Sequence, residues 1–393
     1  MTAAAFIRNG SSMGLFVCLT CVMPLTSCSC GLVENEAAMP QSTTESLYRA
    51  HRWVRIGGAA EVCRYGYISR RGKWVIQPTF DAAYSFSEGL APVKIDGKWG
   101  YVDKTGRLAI SPRYESAPSA FSEGYAVVPV EGGEQFIDST GTVAIEEVFD
   151  SAWPFMNGLA FVRRRGRKKW IVICRNGQPA WHRQFDGCGG QFSPDGLSVI
   201  KIGKRWGVVN RDGKIITEPQ FLYALSYREG LACVQVRAEK GWGYIDRNGE
   251  FAIPSQFDDA RAFSEGLAAV NVGGMWGYID KTGRMIIKPQ FKCASQYGEP
   301  AGVFSDGLAY VCVKEYYGFV DVRGNIVIDP QFRRAFPFRN GLAAVVGQEG
   351  KREPRENRRD VVAYIDMHGV VIWQAPLGSI CGQPSRIKCY RPN

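Results

Sequence analysis

The sequence predicts an all-β chain of tandem units, each about 35 residues long. Three observations predict it. The first is a recurring stretch. Phe86-Ser87-Glu88-Gly89-Leu90-Ala91 leads to Trp99-Gly100-Tyr101-Val102-Asp103 and Gly106. Phe263 to Ala268 leads in the same way to Trp276 through Asp280 and Gly283, and Phe304 to Ala309 leads to Tyr317 through Asp321 and Gly324. The second is strict alternation: Ala268, Val270 and Val272 share one face, as do Ala232, Val234 and Val236, and Ala309, Val311 and Val313. Period two with one apolar face is the mark of a half-buried strand. The third is that no segment sustains a helical period. A unit this small cannot bury its apolar face alone, so neighbours must stack. The expected architecture is three short antiparallel strands per unit, stacked as an extended curved β-array, with a closed propeller-like ring as the alternative.

Taken in order, the chain opens on an address. Residues 1–12 carry Arg8 and no acid, and Met13 to Leu25 is apolar. Thirteen residues make about 20 Å of helix, short of a ~30 Å hydrocarbon core. That length fits a signal-peptide core. Leu25-Thr26-Ser27-Cys28 follows, and it resembles the lipobox of bacterial lipoproteins. The resemblance implies cleavage after residue 27, a lipidated Cys28 and membrane anchoring in a bacterial envelope. Ser29 leans it towards the outer membrane or cell surface. A polar tether completes residues 28–50. Trp53-Val54-Arg55-Ile56 reads as the end of an incomplete leading unit that caps the array.

The repeats occupy residues 51–377, and 378–393 form a tail. Nine units align on Gly66, Gly100, Gln135, Ile171, Gly207, Gly243, Gly277, Gly318 and Ala363. In most units the first strand ends in Asp-x-x-Gly, as at Asp103 to Gly106 and Asp246 to Gly249; Asn210 with Gly213 is the same device, and Ser69 with Gly72 a weaker one. The aspartate accepts bonds from the following amides, and the glycine takes the left-handed conformation that closes the turn. The second strand is short, and a proline is expected to stop it (Pro78, Pro112, Pro219, Pro254, Pro289, Pro330). An aromatic follows. The third strand comes after the Phe-x-(Glu/Asp/Asn)-Gly turn. Trp99, Trp206, Trp242, Trp276 and Tyr317 sit in strand interiors and are expected to form an internal stack, with a ligand-stacking platform as the alternative.

With strands, turns and period together, Gly97-Lys98-Trp99-Gly100-Tyr101-Val102-Asp103 resembles the WG (or KWG) repeat family of bacterial proteins. The resemblance covers about residues 53–377. It implies an all-β tandem-repeat fold, often exported, with little defined biochemistry. Gln135, Ile171 and Ala363 replace the glycine in the third, fourth and ninth units.

The formal net charge of +10 attracts polyanions in general. It is concentrated in two insertions at the same turn of the repeat. One holds Arg163, Arg164, Arg165, Arg167, Lys168 and Lys169; the other holds Lys351, Arg352, Arg355, Arg358 and Arg359. Equivalent turns emerge along one edge, so both loops are candidates for docking an anionic envelope component. Nucleic acid is disfavoured, since no nucleic-acid-binding fold is recognised. His51, His182 and His368 are far apart, which argues against a histidine triad or a Cys/His metal cluster. Each prominent acid already has a turn to cap. No catalysis, cofactor or metal is expected.

Beyond Cys30 there are Cys63, Cys174, Cys188, Cys233, Cys293, Cys312, Cys381 and Cys389. An exported protein with an even set is a candidate for disulfides. Cys381–Cys389 closes a short tail loop and is the first candidate pair; Cys293–Cys312 is the second. Cys233 and Cys312 read equally well as small core residues. The sequence therefore points to an envelope-anchored interaction scaffold. The alternatives are a lectin-like or anionic-polymer-binding module, and a hydrolase with a site in a groove between repeats.

Overall fold

The computed structural model describes residues 46–56, 60–236, 241–293, 299–348 and 360–376. All its regular elements are strands. The first unit is β1 (Tyr48–Ile56), β2 (Ala60–Ile68) and β3 (Trp74–Phe80), ordered β1-β2-β3. The second adds a two-residue strand: β4 (Ala82–Ala83), β5 (Leu90–Ile95), β6 (Lys98–Asp103) and β7 (Leu108–Tyr114), in that order across the sheet. This pattern recurs along the chain. The extra strand is the part the sequence hides, because two residues carry no period.

The proline does not stop its strand. β7 runs through Pro112 to Tyr114, and β3 through Pro78 to Phe80. Trp99 pairs with Tyr114 but Tyr101 pairs with Ile110, so β7 bulges opposite Gly100. Proline is tolerated there because the bulge already breaks the ladder. The bulge also explains the glycine opposite it in the regular units. A Cβ on Gly100 would lie 2.4 Å from the Ile110 carbonyl oxygen, and one on Gly277 2.4 Å from that of Ile287. Only glycine lets the bulge press this close.

Each sheet buries both faces. Tyr65, Tyr67, Ile76 and Phe80 of unit 1 pack on Ala83, Ala91, Val93 and Val102 of unit 2. From the opposite face of unit 2, Trp99, Tyr101, Ile110 and Tyr114 pack on Ala126, Val128 and Ile137 of unit 3. The strand Val143–Ala152 pairs first within unit 3 and then with Leu159–Arg164 of unit 4, passing directly from one sheet to the next. The same face-to-face packing continues through units 4 to 9.

The chain is the all-β array of tandem units that the sequence predicts, but it is not extended: its ends meet, as in the closed ring given as the alternative. Tyr48, Ala50 and Ile68 of unit 1 pack on Leu342, Ala344 and Tyr364 of unit 9. The Tyr48 hydroxyl donates to the Asn340 carbonyl at 2.8 Å, and the Tyr364 hydroxyl to that of Arg49 at 2.9 Å. The Trp53 indole donates to Pro376 O at 3.2 Å. The leading strand read as a cap is the piece that closes the ring. The fourth strands leave most side chains exposed or half-exposed, while the middle strands are almost wholly buried. They form the solvent edge of each sheet.

Candidate functional site

Two kinds of turn lie at one end of every sheet. In the Asp-x-x-Gly turns, Asp103 Oδ1 accepts from the amides of Thr105 and Arg107 at 2.9 and 3.0 Å. Asp138, Asp246, Asp280, Asp321 and Asp366 do the same, and Asn210 substitutes for them. The Thr105 hydroxyl bond and these amides hold the Asp103 carboxyl below its ordinary range. These acids cap turns, as their spacing predicts.

The acids of the second kind of turn do something the sequence does not announce. Glu88 (φ 51°) and Gly89 (φ 83°) form a two-residue hairpin turn. The Glu88 carboxylate accepts from the amides of Glu123 and Gly124 in the next unit, at 2.7 and 2.9 Å. Glu123 holds Asn157 and Gly158 likewise, and Glu265 holds Asp306 and Gly307. The Ser87, Ser122, Ser264 and Ser305 hydroxyls donate to the carbonyls of Phe121, Phe155, Phe304 and Phe338. The Ser-Glu pair is thus a clamp between neighbouring units. Its recurrence before glycine was the available signal.

The opposite end carries the hairpins between the middle strands, and there the first basic insertion lies. It is only partly free. Arg163 lies over the Trp170 ring at 5.5 Å, Arg164 pairs with Glu147 at 2.8 Å and Lys169 with Asp186 at 2.5 Å. Arg165, Arg167 and Lys168 are exposed, and no ion pair engages them among the described residues. Lys351, Arg352, Arg355, Arg358 and Arg359 fall outside the described residues, as do Cys28, Cys381 and Cys389.

The structure extends this basic surface into unit 5. Asp186 holds Lys169 with one oxygen and accepts from the Gly203 amide at 2.7 Å with the other. That places the exposed Lys204 and Arg205 next to the unit 4 insertion. Lys201 covers the Trp206 ring at 5.7 Å. Trp206 is followed by Tyr223 and Trp242, with 6.1 Å between successive ring centroids.

Here the expected internal stack divides. Trp99, Trp276 and Tyr317 are buried, at 7%, 5% and 5% exposure. Trp206 and Trp242 are only half-buried, and Tyr223 between them is 52% exposed. Elsewhere the ring at this position is covered: Tyr84 stacks on Trp99, and Arg261 lies over Trp276. Trp206 and Trp242 share a partner that is itself open to solvent.

Cys293 and Cys312 are bonded, with Cα atoms 5.2 Å apart. The bond joins the end of unit 7 to unit 8, where a longer connection interrupts the repeat and Lys292 pairs parallel with Val313. Cys233 is buried, and burial pushes its thiol well above the ordinary value. No group of three or more His, Cys, Asp or Glu that could hold a metal ion occurs among the described residues.

The WG-containing repeat family matches residues 65–99, 99–132, 136–170, 206–238, 242–276, 276–317 and 317–351. These segments make up more than half of the chain, which belongs to that family. The remaining units, the fourth and ninth, are two of the three that lack the glycine, and the structure nonetheless contains their sheets. No curated protein matches the chain. Among solved structures it is similar to a eukaryotic initiation factor, at 10% identity over 84% of this chain and 85% of that one, with TM-score 0.44. A streptogramin B lyase matches at 11% identity over 76% and 94%, with TM-score 0.34. A quinoprotein alcohol dehydrogenase-like protein from Bacteroides thetaiotaomicron matches at 9% over 85% and 88%, also with TM-score 0.34. Likeness this distant carries no argument about function.

Proposed function

We propose that this WG-repeat protein is an exported, membrane-anchored scaffold that binds an anionic macromolecule of the cell envelope and performs no catalysis. The observation that carries this reading is the group of exposed cations on the adjoining hairpins of units 4 and 5. Arg165, Arg167 and Lys168 are exposed, and Asp186 ties their loop to the hairpin bearing Lys204 and Arg205. Cations clustered on a rigid sheet edge attract anions and lose little freedom on binding. The address comes from the apolar run Met13 to Leu25 and Cys28, which resemble a lipoprotein signal. A disulfide between Cys293 and Cys312 suits an oxidising compartment.

The test is in-cell crosslinking of the tagged full-length protein, beside a variant carrying Arg165→Glu, Arg167→Glu and Lys168→Glu. Capture of an anionic envelope component, lost in the variant, is expected. Equal capture by both proteins overturns the docking role. Anchoring is checked separately: Cys28→Ala should release the protein from the membrane fraction.

A further inference from the structure

We infer that the ligand of this surface is a linear acidic polysaccharide, read by the aromatic row Trp206, Tyr223 and Trp242 with Lys204 and Arg205 on its flank. The inference rests on the proposed anion-binding role and names its chemistry. Three features of the row favour a glycan. The exposed Tyr223 ring and the open edges of the half-buried Trp206 and Trp242 offer apolar surface to the C–H faces of sugars, and their tilts of 47° and 60° follow a twisting chain rather than one flat ring. The 6.1 Å step repeats, which suits a ligand that itself repeats. Charge meets the row at Lys201, 5.7 Å over the Trp206 ring, and Lys204 and Arg205 stand exposed in the hairpin just before it, where uronate or sulfate groups of a sugar chain can reach them.

A protein partner fits less well. Protein interfaces centre on a large apolar core depleted in lysine. Among the described residues of the unit 5 hairpin, Ile202, 38% exposed, is the open apolar side chain beside the rings, and Lys201 lies over one of them. The row is also rigidly held. Trp206 pairs with Phe221 and Lys201, and Trp242 with Phe257 and Gln235, within antiparallel ladders. Tyr223 pairs with Gln235, so its backbone is fixed while its ring stays accessible.

The experiment uses full-length protein in detergent, titrated with polygalacturonate, hyaluronate and heparin while tryptophan fluorescence and calorimetric heat are followed. Neutral dextran and single-stranded oligo(dT) are controls. Binding to at least one acidic glycan is expected, with none to dextran. Tyr223→Ala should weaken it at least tenfold and Tyr223→Phe less than threefold, both with unchanged melting temperature because the ring is half exposed. Lys204→Glu with Arg205→Glu should weaken binding further and flatten its salt dependence. The inference is overturned if none of the three glycans binds, if Tyr223→Ala binds within twofold of wild type, or if oligo(dT) binds as tightly. The broader anion-binding role survives such a failure if crosslinked capture still depends on Arg165, Arg167 and Lys168, and falls only if that capture is unchanged.

Discussion

The seam between units 2 and 3 and the seam between units 9 and 1 solve one problem with different residues. At the first, the clamp of Ser87 and Glu88 grips Phe121, Glu123 and Gly124, and rings from the repeat fill the interface. At the second, no short connection passes between the sheets. Tyr48, Arg49, Trp53, Asn340, Tyr364 and Pro376 make bonds across it, and of these Asn340 and Tyr364 belong to the repeat pattern. The closing seam also encloses a cavity of about 20 Å³, lined by His51, Tyr65, Tyr364 and Trp373 among others. Consecutive units are held by chain continuity plus a repeated clamp. The ends must find each other by side chains alone.

The comparison breaks most clearly when one buried ring is removed from each kind of seam. Tyr278, fully buried between units 7 and 8, and Tyr364 at the closing seam should each cost about 3–5 kcal/mol on change to alanine. Denaturant unfolding checks the magnitude. Small-angle scattering should show expansion of the folded state only for Tyr364→Ala. Equal expansion in both variants would mean that the closing seam is not special.

Acid should act on the closing seam next. His51 is buried against Trp373, and burial lowers its pKa from 6.5 to about 4. The unfolded chain therefore takes up this proton first. The contribution of neutral His51 is fully present above about pH 6.5 and is lost as pH falls from there towards 4. The full loss is about 3 kcal/mol. Melting temperature measured from pH 7.5 to 4 should fall less steeply for His51→Gln, from a lower starting value.

The Cys293–Cys312 bond reinforces the seam where the connection is longest. It closes 19 residues, so reduction should cost about 3 kcal/mol by loop entropy. A melting temperature unchanged by reductant would place the stability of that seam entirely in its packing. The smallest effect is expected of a single clamp. Glu265→Gln weakens the bonds to the Asp306 and Gly307 amides, each 2.8 Å, and should cost about 1 kcal/mol.

Most of the fold was legible because its signals are local and repeated. Alternation marked the long strands, and Asp-x-x-Gly marked the turns. The Pro112 bulge was misread as a strand end, because missing donors look the same in both cases until the partner Gly100 is placed. The basic insertion was legible as composition, but not its partial neutralisation. Glu147 and Asp186 are far from being neighbours of Arg164 and Lys169 in sequence. Tyr223 gave no signal at all: one aromatic in a two-residue strand has no pattern.

By itself the sequence determined the unit, its long strands, its turns and the number of units, since each follows from residues within one repeat length. Tertiary structure alone decided which rings stay open, which cations stay unpaired and that the array closes on itself. Those depend on how much each sheet rotates against the next, a small angle summed over the whole chain that no single repeat encodes.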